Sequence, residues 1–337
     1  EDYAPLGPRE DRPSGVAAIV ITAPTESIRP FGACYDLAAL FVCPNTDQLS
    51  DEAVATAECF DRLIVPSGYC MDTVAKALAH RVDIGVTQLP LGVADVFVEG
   101  RRYVRERATR RGHRGEPRRA VHFTSDAFWP GRKGTEELIE AWPGIKEATG
   151  LQLTIHSIES MRDEIYYYCA DRGMHEPDIE VVSSPPRGAM PHQIFEQMAA
   201  ADLVIHPSRA EGYGMIALSA LCAGVPLVTT SATGEDFLRE TKMPYVDIAV
   251  GDLMPLHGEL GSAPEVTPWA IRNAVIAAGR TDALQRLRSA ANTPQNRAAA
   301  LRCTWTARMG AWRSYADGML ETLVERIERI HHDDTGE

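Results

Sequence analysis

Residues 201–224 read ADLVIHPSRAEGYGMIALSALCAG. The stretch opens with a short apolar strand, Leu203-Val204-Ile205. It turns through His206-Pro207-Ser208 into a polar loop carrying Glu211, where Gly212 and Gly214 flank Tyr213. From about Met215 to Ala223 the residues are apolar and helix-forming, with Gly224 as the stop and Pro226 just beyond. Strand, glycine-containing loop and helix in that order aim backbone N–H groups at whatever fills the loop. The positive end of a helix dipole points the same way. Such a corner suits an anion, phosphate above all.

Working outward, the same alternation fills both halves of the chain. Upstream, the pattern predicts strands at 16–22, 40–43, 62–65 and 83–89, with helices over about 51–60 and 70–81. Downstream it predicts strands at 120–124, 151–156, 179–182, 226–230 and 245–250. Helices are expected over about 135–149, 159–172, 190–200 and 235–240. Residues 251–266 read as loop, and helices follow over about 267–279, 281–291, 295–302 and 305–331. Strands alternating with helices imply βαβ units and parallel sheets. Residues 1–15 are polar and proline-rich and read as an extended lead-in. A start at Glu1 rather than Met reads as a processed or trimmed chain.

A length of 337 residues with 45% apolar content supports two domains, each with its own core. The net charge of −13 argues against a general nucleic-acid surface, which needs a basic excess. Seven scattered cysteines without a CxxC pair read as reduced thiols, and with no secretory pattern the expected compartment is the cytoplasm. No apolar run suggests an integral membrane segment. The segment 99–119 holds nine arginines and reads as a solvated interdomain linker rather than a nucleic-acid patch, for want of interleaved aromatics. The expected organisation is therefore an N-terminal unit at 1–98, the Arg-rich linker at 99–119, a second α/β domain at 120–305, and a helix with a frayed tail at 306–337.

In the second half, three loops follow strand ends: 125–134, 183–190 and 207–214. Ligands of open α/β sheets sit at such carboxyl ends. Arg132 and Lys133 lie just before a helix start, where a guanidinium fork and an ammonium point charge can neutralise a diphosphate. Glu211, in a loop built for phosphate, is costly unless it binds hydroxyls or complements the helix dipole.

Five blocks then stand in order: PSGYCMDTV (66–74), LPLGVADVF (89–97), GRKGTEELIEAW (131–142), the 201–228 stretch, and TGEDFL (233–238). Together they resemble retaining GT-B glycosyltransferases of the family 4 type, the group with glycogen-synthase-like and sucrose-synthase-like enzymes. The resemblance implies an α/β, GT-B type fold: two Rossmann-like domains with parallel sheets facing across a cleft. The C-terminal domain would hold a nucleotide-sugar donor, UDP or GDP being the expected nucleotides, and the C-terminal helix would pack back toward the first domain.

By the same resemblance, Lys133 and Arg132 grip the donor diphosphate. Glu211, as the first Glu of an E-x7-E motif, contacts sugar hydroxyls. The backbone of Gly212, Tyr213, Gly214 and Met215 reaches sugar and phosphate. Ser219 stands where the family places a second, ribose-binding Glu. The base would stack at the loop holding Ser184 and Arg187. The N-terminal half is short for the family, lacks an evident Gly-rich loop after its first strand (Gly32 is a poor substitute), and its first histidine is His80. The implied reaction needs neither metal nor cofactor: the leaving diphosphate assists deprotonation of an acceptor hydroxyl on the same face. The acceptor is open: a glycan, lipid-linked group, protein, small molecule or nucleic acid. The alternatives are a non-catalytic GT-B module that binds nucleotide or glycan, and a DNA-modifying transferase resting only on the Arg-rich segment. A phosphorylase or epimerase of the same fold ranks lower.

Overall fold

The computed structural model describes residues 15–81, 83–114, 118–125, 131–174, 179–184, 189–256 and 261–335. It divides into two compact units, one of residues 1–91 and 308–337, the other of residues 92–307.

The first unit is built on a four-stranded parallel sheet, β1 (Ala17–Ile21), β2 (Leu37–Phe41), β3 (Arg62–Val65) and β4 (Gly85–Gln88), in simple spatial order. The crossovers carry helices α1 (Arg29–Cys34), α2 (Asp51–Ala57) and α3 (Gly68–Ala77). Ser50 and Ser67 cap α2 and α3 by accepting from Ala53 N and Cys70 N. Gly32 does not form a phosphate loop. It lies in α1, where a Cβ would stand 2.1 Å from the carbonyl oxygen of Cys59, so the glycine permits a close backbone approach. Every residue of β2 is buried, because both sheet faces are covered. Ala38, Leu40, Leu63 and Val65 face the crossover helices, and Leu37, Ala39 and Ile64 pack against Met319 and Leu323. Those two residues belong to α14 (Trp305–Thr335), the last helix of the chain. Arg326 fixes it further by pairing with Asp61 at 2.9 Å.

The second unit holds a six-stranded sheet in the order β10-β9-β8-β5-β6-β7, every neighbouring pair parallel. Its strands are β5 (Arg119–Phe123), β6 (Gln152–Ile158), β7 (Ile179–Ser184), β8 (Leu203–His206), β9 (Leu227–Thr229) and β10 (Val246–Asp247). Short α4 (Val96–Glu99) and α5 (Arg101–Arg114) precede the sheet. Helices α6 (Thr135–Thr149), α7 (Arg162–Asp171), α8 (Pro191–Ala200), α9 (Met215–Ala223) and α10 (Asp236–Thr241) connect its strands. Helices α11 (Pro268–Gly279), α12 (Thr281–Ala291) and α13 (Pro294–Arg302) follow. The core packs Trp142, Ile139 and Ile145 of α6 with Ile271 and Val275 of α11 against Leu153, Ile155 and Leu203 of the sheet. The chain runs Val93 beside Thr304, with Val93 N bonded to Cys303 O and Trp305 N to Val93 O, each at 2.9 Å.

The strand expected at 40–43 is Leu37–Phe41, helices Arg29–Cys34 and Val96–Glu99 are additional to those expected, and three other local expectations change. The strand expected at 245–250 shrinks to Val246–Asp247 at the sheet edge. The expected loop 251–266 contains an antiparallel pair, β11 (Leu253–Pro255) and β12 (Ser262–Pro264). Pro255 and Pro264 stand at the ends of this short ladder, where a missing N–H is tolerated. The Arg-rich segment is a helix over 101–114, yet its first residue, Arg101, is 6% exposed rather than solvated.

Candidate functional site

Strand β5 lies between β6 and β8, so the crossover direction reverses beside it. Loops leaving two such neighbouring strands splay apart and leave a crevice at their carboxyl ends. Arg132 and Lys133 come from the loop after β5, and Glu211 comes from the loop after β8. Sequence distance between them is bridged by strand adjacency: Ala120 pairs with Leu203 and Val121 with Val204.

Tight glycine contacts lock the two loops together. Gly134, the residue before α6, adopts φ +66°, and a Cβ there would meet the carbonyl oxygen of Pro207 at 2.2 Å. Arg209 N donates to Arg132 O at 2.8 Å, and Arg132 NH1 donates to Ala210 O at 2.9 Å. A third loop joins from below: Gly234 N donates to Glu211 O at 2.7 Å, and a Cβ on Gly234 would fall 2.2 Å from Gly212 O.

Lys133 Nζ donates to Glu211 Oε1. The same oxygen accepts from Ser208 Oγ at 2.8 Å and lies 3.7 Å from Arg132 NH1. His206 Nε2 is 3.2 Å away, close but without hydrogen-bond alignment. Burial alone would raise the pKa of Glu211, but Lys133, His206 and Arg132 more than reverse it. The carboxylate is held charged, well below its ordinary value. His206 is fully buried and its pKa is lowered by that burial against the pull of Glu211.

A second carboxyl lies close by in the opposite state. Glu235 is 3% exposed, and burial followed by the charge of Glu211 raises its pKa to about 8. Its Oε2 accepts from Thr233 N at 3.3 Å and Thr233 Oγ1 at 3.2 Å. Its Oε1 is buried and unpartnered. It sits under the glycine loop: a Cβ on Gly214 would be 2.8 Å from Glu235 Cγ.

Gly214, with φ +73°, precedes α9, and Gly224, with φ +72°, ends it. Residues 217–223 of α9 are all buried, as a helix apolar on every side but for Ser219 requires. Tyr213 is buried, with its ring centroid 5.8 Å from that of Phe237. Met215 opens the helix, and Ser219 is buried in its second turn.

The structure thus gathers Lys133, Arg132, Glu211, Gly212, Tyr213, Gly214 and Met215 at one corner. Ser184 is elsewhere, at the end of β7, in a cavity of about 190 Å³ also lined by Phe123, His156, Ser183 and Gln193. There the Phe123 and His156 rings stack at 5.0 Å, and burial lowers the His156 pKa to about 4. Arg187 lies outside the described residues. Sequence reasoning missed four residues of the corner: His206, Ser208, Thr233 and Glu235. Ser208 stands three residues before Glu211, a spacing at which turn side chains meet. Nothing in the pattern announces the approach of Glu235, 24 residues from Glu211 in the chain.

A family model described as family 4 glycosyltransferase in conflict systems matches residues 174–319. Lipopolysaccharide glucosyltransferase WaaG of Escherichia coli (strain K12) is 28% identical over 104 residues, covering 31% of this chain and 26% of that protein. An uncharacterized glycosyltransferase of Methanocaldococcus jannaschii, MJ1607, is 33% identical over 103 residues, covering 31% of this chain and 25% of that protein. The matched stretch therefore spans about a quarter of each curated relative's length. Among solved structures, Anabaena Alr3699/HepE in complex with UDP and glucose superposes with a TM-score of 0.60 at 16% identity, covering 88% of this chain and 77% of that one. At that identity the likeness bears on the fold alone, two parallel α/β sheets of the GT-B kind. Fold, motif order and the family match over residues 174–319 make this chain similar to family 4-type glycosyltransferases of the GT-B fold.

Proposed function

We propose that this chain transfers a sugar from a nucleotide-diphosphate sugar to an acceptor hydroxyl, with retention of anomeric configuration and without a metal. The observation that carries the reading is the convergence of Lys133, Arg132 and Glu211 on the amino end of α9, at the reversal point of the sheet. A donor diphosphate there would share both cations with Glu211 and meet the amides of Gly212–Met215. Developing charge on the leaving phosphate would be stabilised by groups already held in place. Glu211, kept ionised, would accept from sugar hydroxyls. UDP is the first candidate nucleotide, since the fold neighbour HepE was solved with UDP and glucose. GDP is the second. A cytoplasmic setting belongs to the same reading and is supported by seven scattered cysteines without a CxxC pair. No helix among the described residues is long and apolar enough to cross a membrane.

A thermal-shift screen against UDP-, GDP-, ADP- and TDP-sugars tests donor binding, because a ligand of the folded state raises the melting temperature at excess concentration. The matching donor should also be hydrolysed slowly without acceptor. Lys133→Ala and Glu211→Gln should each lower turnover at least ~10-fold, the loss of one charge-assisted contact. Unchanged turnover in both variants, or no response to any donor, would overturn the assignment. Ser219, a buried serine where the resemblance expects a ribose-binding Glu, favours a second reading as a non-catalytic binding module. Donor binding without hydrolysis or transfer would select it.

A further inference from the structure

Between α5 and the α12–α13 pair lies a cavity of about 390 Å³ whose lining includes Arg105, Arg288, Arg297, Gln285, Ser289 and Asn292. It belongs to the second unit and sits at the opposite end of the sheet from the corner described above. Its Arg288 donates to Asp202, the residue just before β8, whereas His206 ends that strand.

The charge balance around the cavity is one-sided. Arg101, one turn before Arg105 on α5, lies nearby: its NH2 donates to Ala291 O at 2.5 Å, and Asn292 lines the cavity. Burial, and to a lesser degree the charge of Arg297, lowers the Arg101 pKa. Four guanidinium groups therefore crowd one region. Among the described residues, Asp202 is the one carboxylate ion-paired with any of them. Glu106, the single acidic residue of α5, ion-pairs with Arg102 at 2.7 Å and Arg110 at 3.5 Å and interacts with Arg105 only through its charge. Arg297 is held at the rim, with its Nε donating to Asn292 O at 2.9 Å. Like charges assembled around a concave wall with amide and hydroxyl donors repel one another unless an anion joins them.

We infer that this cavity binds a phosphate or diphosphate group, held by Arg105, Arg288 and Arg297 with Gln285, Ser289 and Asn292 as neutral donors. The inference gives a use to Arg105 of the Arg-rich segment, for which the proposed transfer reaction has none. It stands whether or not that reaction is correct. The same group could arrive free or as part of a nucleic-acid strand, and the two sources separate experimentally.

The test uses the full chain, an Arg105→Gln/Arg297→Gln variant and a Lys133→Ala variant. Arg105 and Arg297 are exposed, so their neutralisation should leave the melting temperature near the parent value, which is measured first. Pyrophosphate is titrated by calorimetry. A fluorescent 5′-phosphorylated oligothymidylate is titrated by anisotropy at two salt concentrations. The expected result is a pyrophosphate site weakened at least ~10-fold in the double arginine variant and retained in Lys133→Ala. Saturable pyrophosphate binding without oligonucleotide binding identifies a free anion as the source. Oligonucleotide binding that the arginine variant loses, and that falls steeply with salt, identifies strand phosphates. Equal binding of both probes by parent and arginine variant, or no binding by either, overturns the inference. If the variant fails to fold, Arg105→Gln alone gives the same readout. Failure of the donor screen with retention of this site would separate the two proposals.

Discussion

Glu211 and Glu235 are joined through one hydroxyl. Thr233 Oγ1 accepts from Glu211 N at 2.9 Å and donates to Glu235 Oε2 at 3.2 Å. The two carboxyls differ because their partners differ. Glu211 has two cations against its side chain, whereas Glu235 has neutral donors and the field of Glu211. One is held as a carboxylate and the other as a carboxylic acid near neutral pH, a division seen where a site needs an acceptor and a donor side by side.

This difference makes stability fall with rising pH. The folded Glu235 pKa, about 8, lies above its ordinary 4.5, so the folded chain binds the proton more tightly. Its contribution is fully present below about pH 4.5 and is lost as pH rises through about 8. The loss should be on the order of 2–5 kcal/mol. Urea unfolding of the parent should show this decline between pH 5 and 8, and Glu235→Gln should remove it. Parallel pH profiles for the two proteins would refute the assignment of Glu235 as a neutral acid.

Lys133 and Glu211 should be energetically coupled. Removing the ammonium with Lys133→Met leaves a buried carboxylate with Arg132 at 3.7 Å as its remaining cation. The expected cost is about 3 kcal/mol, because a buried charge stripped of its nearest partner is worse off than a neutral group in its place. Adding Glu211→Gln should recover part of it, with a coupling of about 1–3 kcal/mol in a double-mutant cycle. Additive losses would mean that the two side chains do not depend on each other.

The parts of this site legible in the sequence were those with a local signature. The stretch 201–224 shows strand, glycine loop and helix by residue type alone, and the structure has β8, the Gly212–Gly214 loop and α9 there. Helix 135–149 was readable from Gly134 before it and Gly150 after it, and it persists through Pro143. What was not legible depends on how separate loops meet. Ser208, His206 and Thr233 are small or ambiguous polar residues, and their roles exist only because the loops after β5, β8 and β9 close on one another. The β11–β12 pair was missed for a different reason: Leu253 and Met254 are both exposed, so no alternation of apolar and polar residues marks the strand.

The loop closure itself can be tested with two glycines of matched backbone. Gly134 and Gly150 both have positive φ, +66° and +67°. A Cβ at Gly150 meets nothing within 4 Å, whereas one at Gly134 would press on Pro207 O at 2.2 Å. Gly150→Ala should therefore cost only the backbone strain, about 1 kcal/mol. Gly134→Ala should cost at least ~1 kcal/mol more, since carbonyl and loop must move apart. It should also weaken donor-dependent stabilisation by shifting Arg132 and Lys133, an effect Gly150→Ala should not show. Equal Tm losses in the two variants would argue against a fixed contact between the loops.

Arg101 offers a test of what a buried arginine does away from the corner. Its NH1 donates to Cys222 O at 3.1 Å and its NH2 to Ala291 O, so one guanidinium serves the last turn of α9 and the end of α12. Both carbonyls sit at the negative ends of helix dipoles, where a cation is favourable. The groove exists because Gly224 has no side chain: a Cβ there would stand 3.1 Å from Arg101 NH2. Arg101→Ala should destabilise by about 3–5 kcal/mol, by leaving the two carbonyls and a void behind. Arg101→Lys should recover only part of this, since a single ammonium lacks the planar fork that reaches two acceptors. Arg102, whose side chain is 82% exposed, is the control and should tolerate alanine within about 0.5 kcal/mol. Denaturant unfolding gives all three values. Near-parent stability in Arg101→Ala would show that the two helix ends are satisfied by other groups.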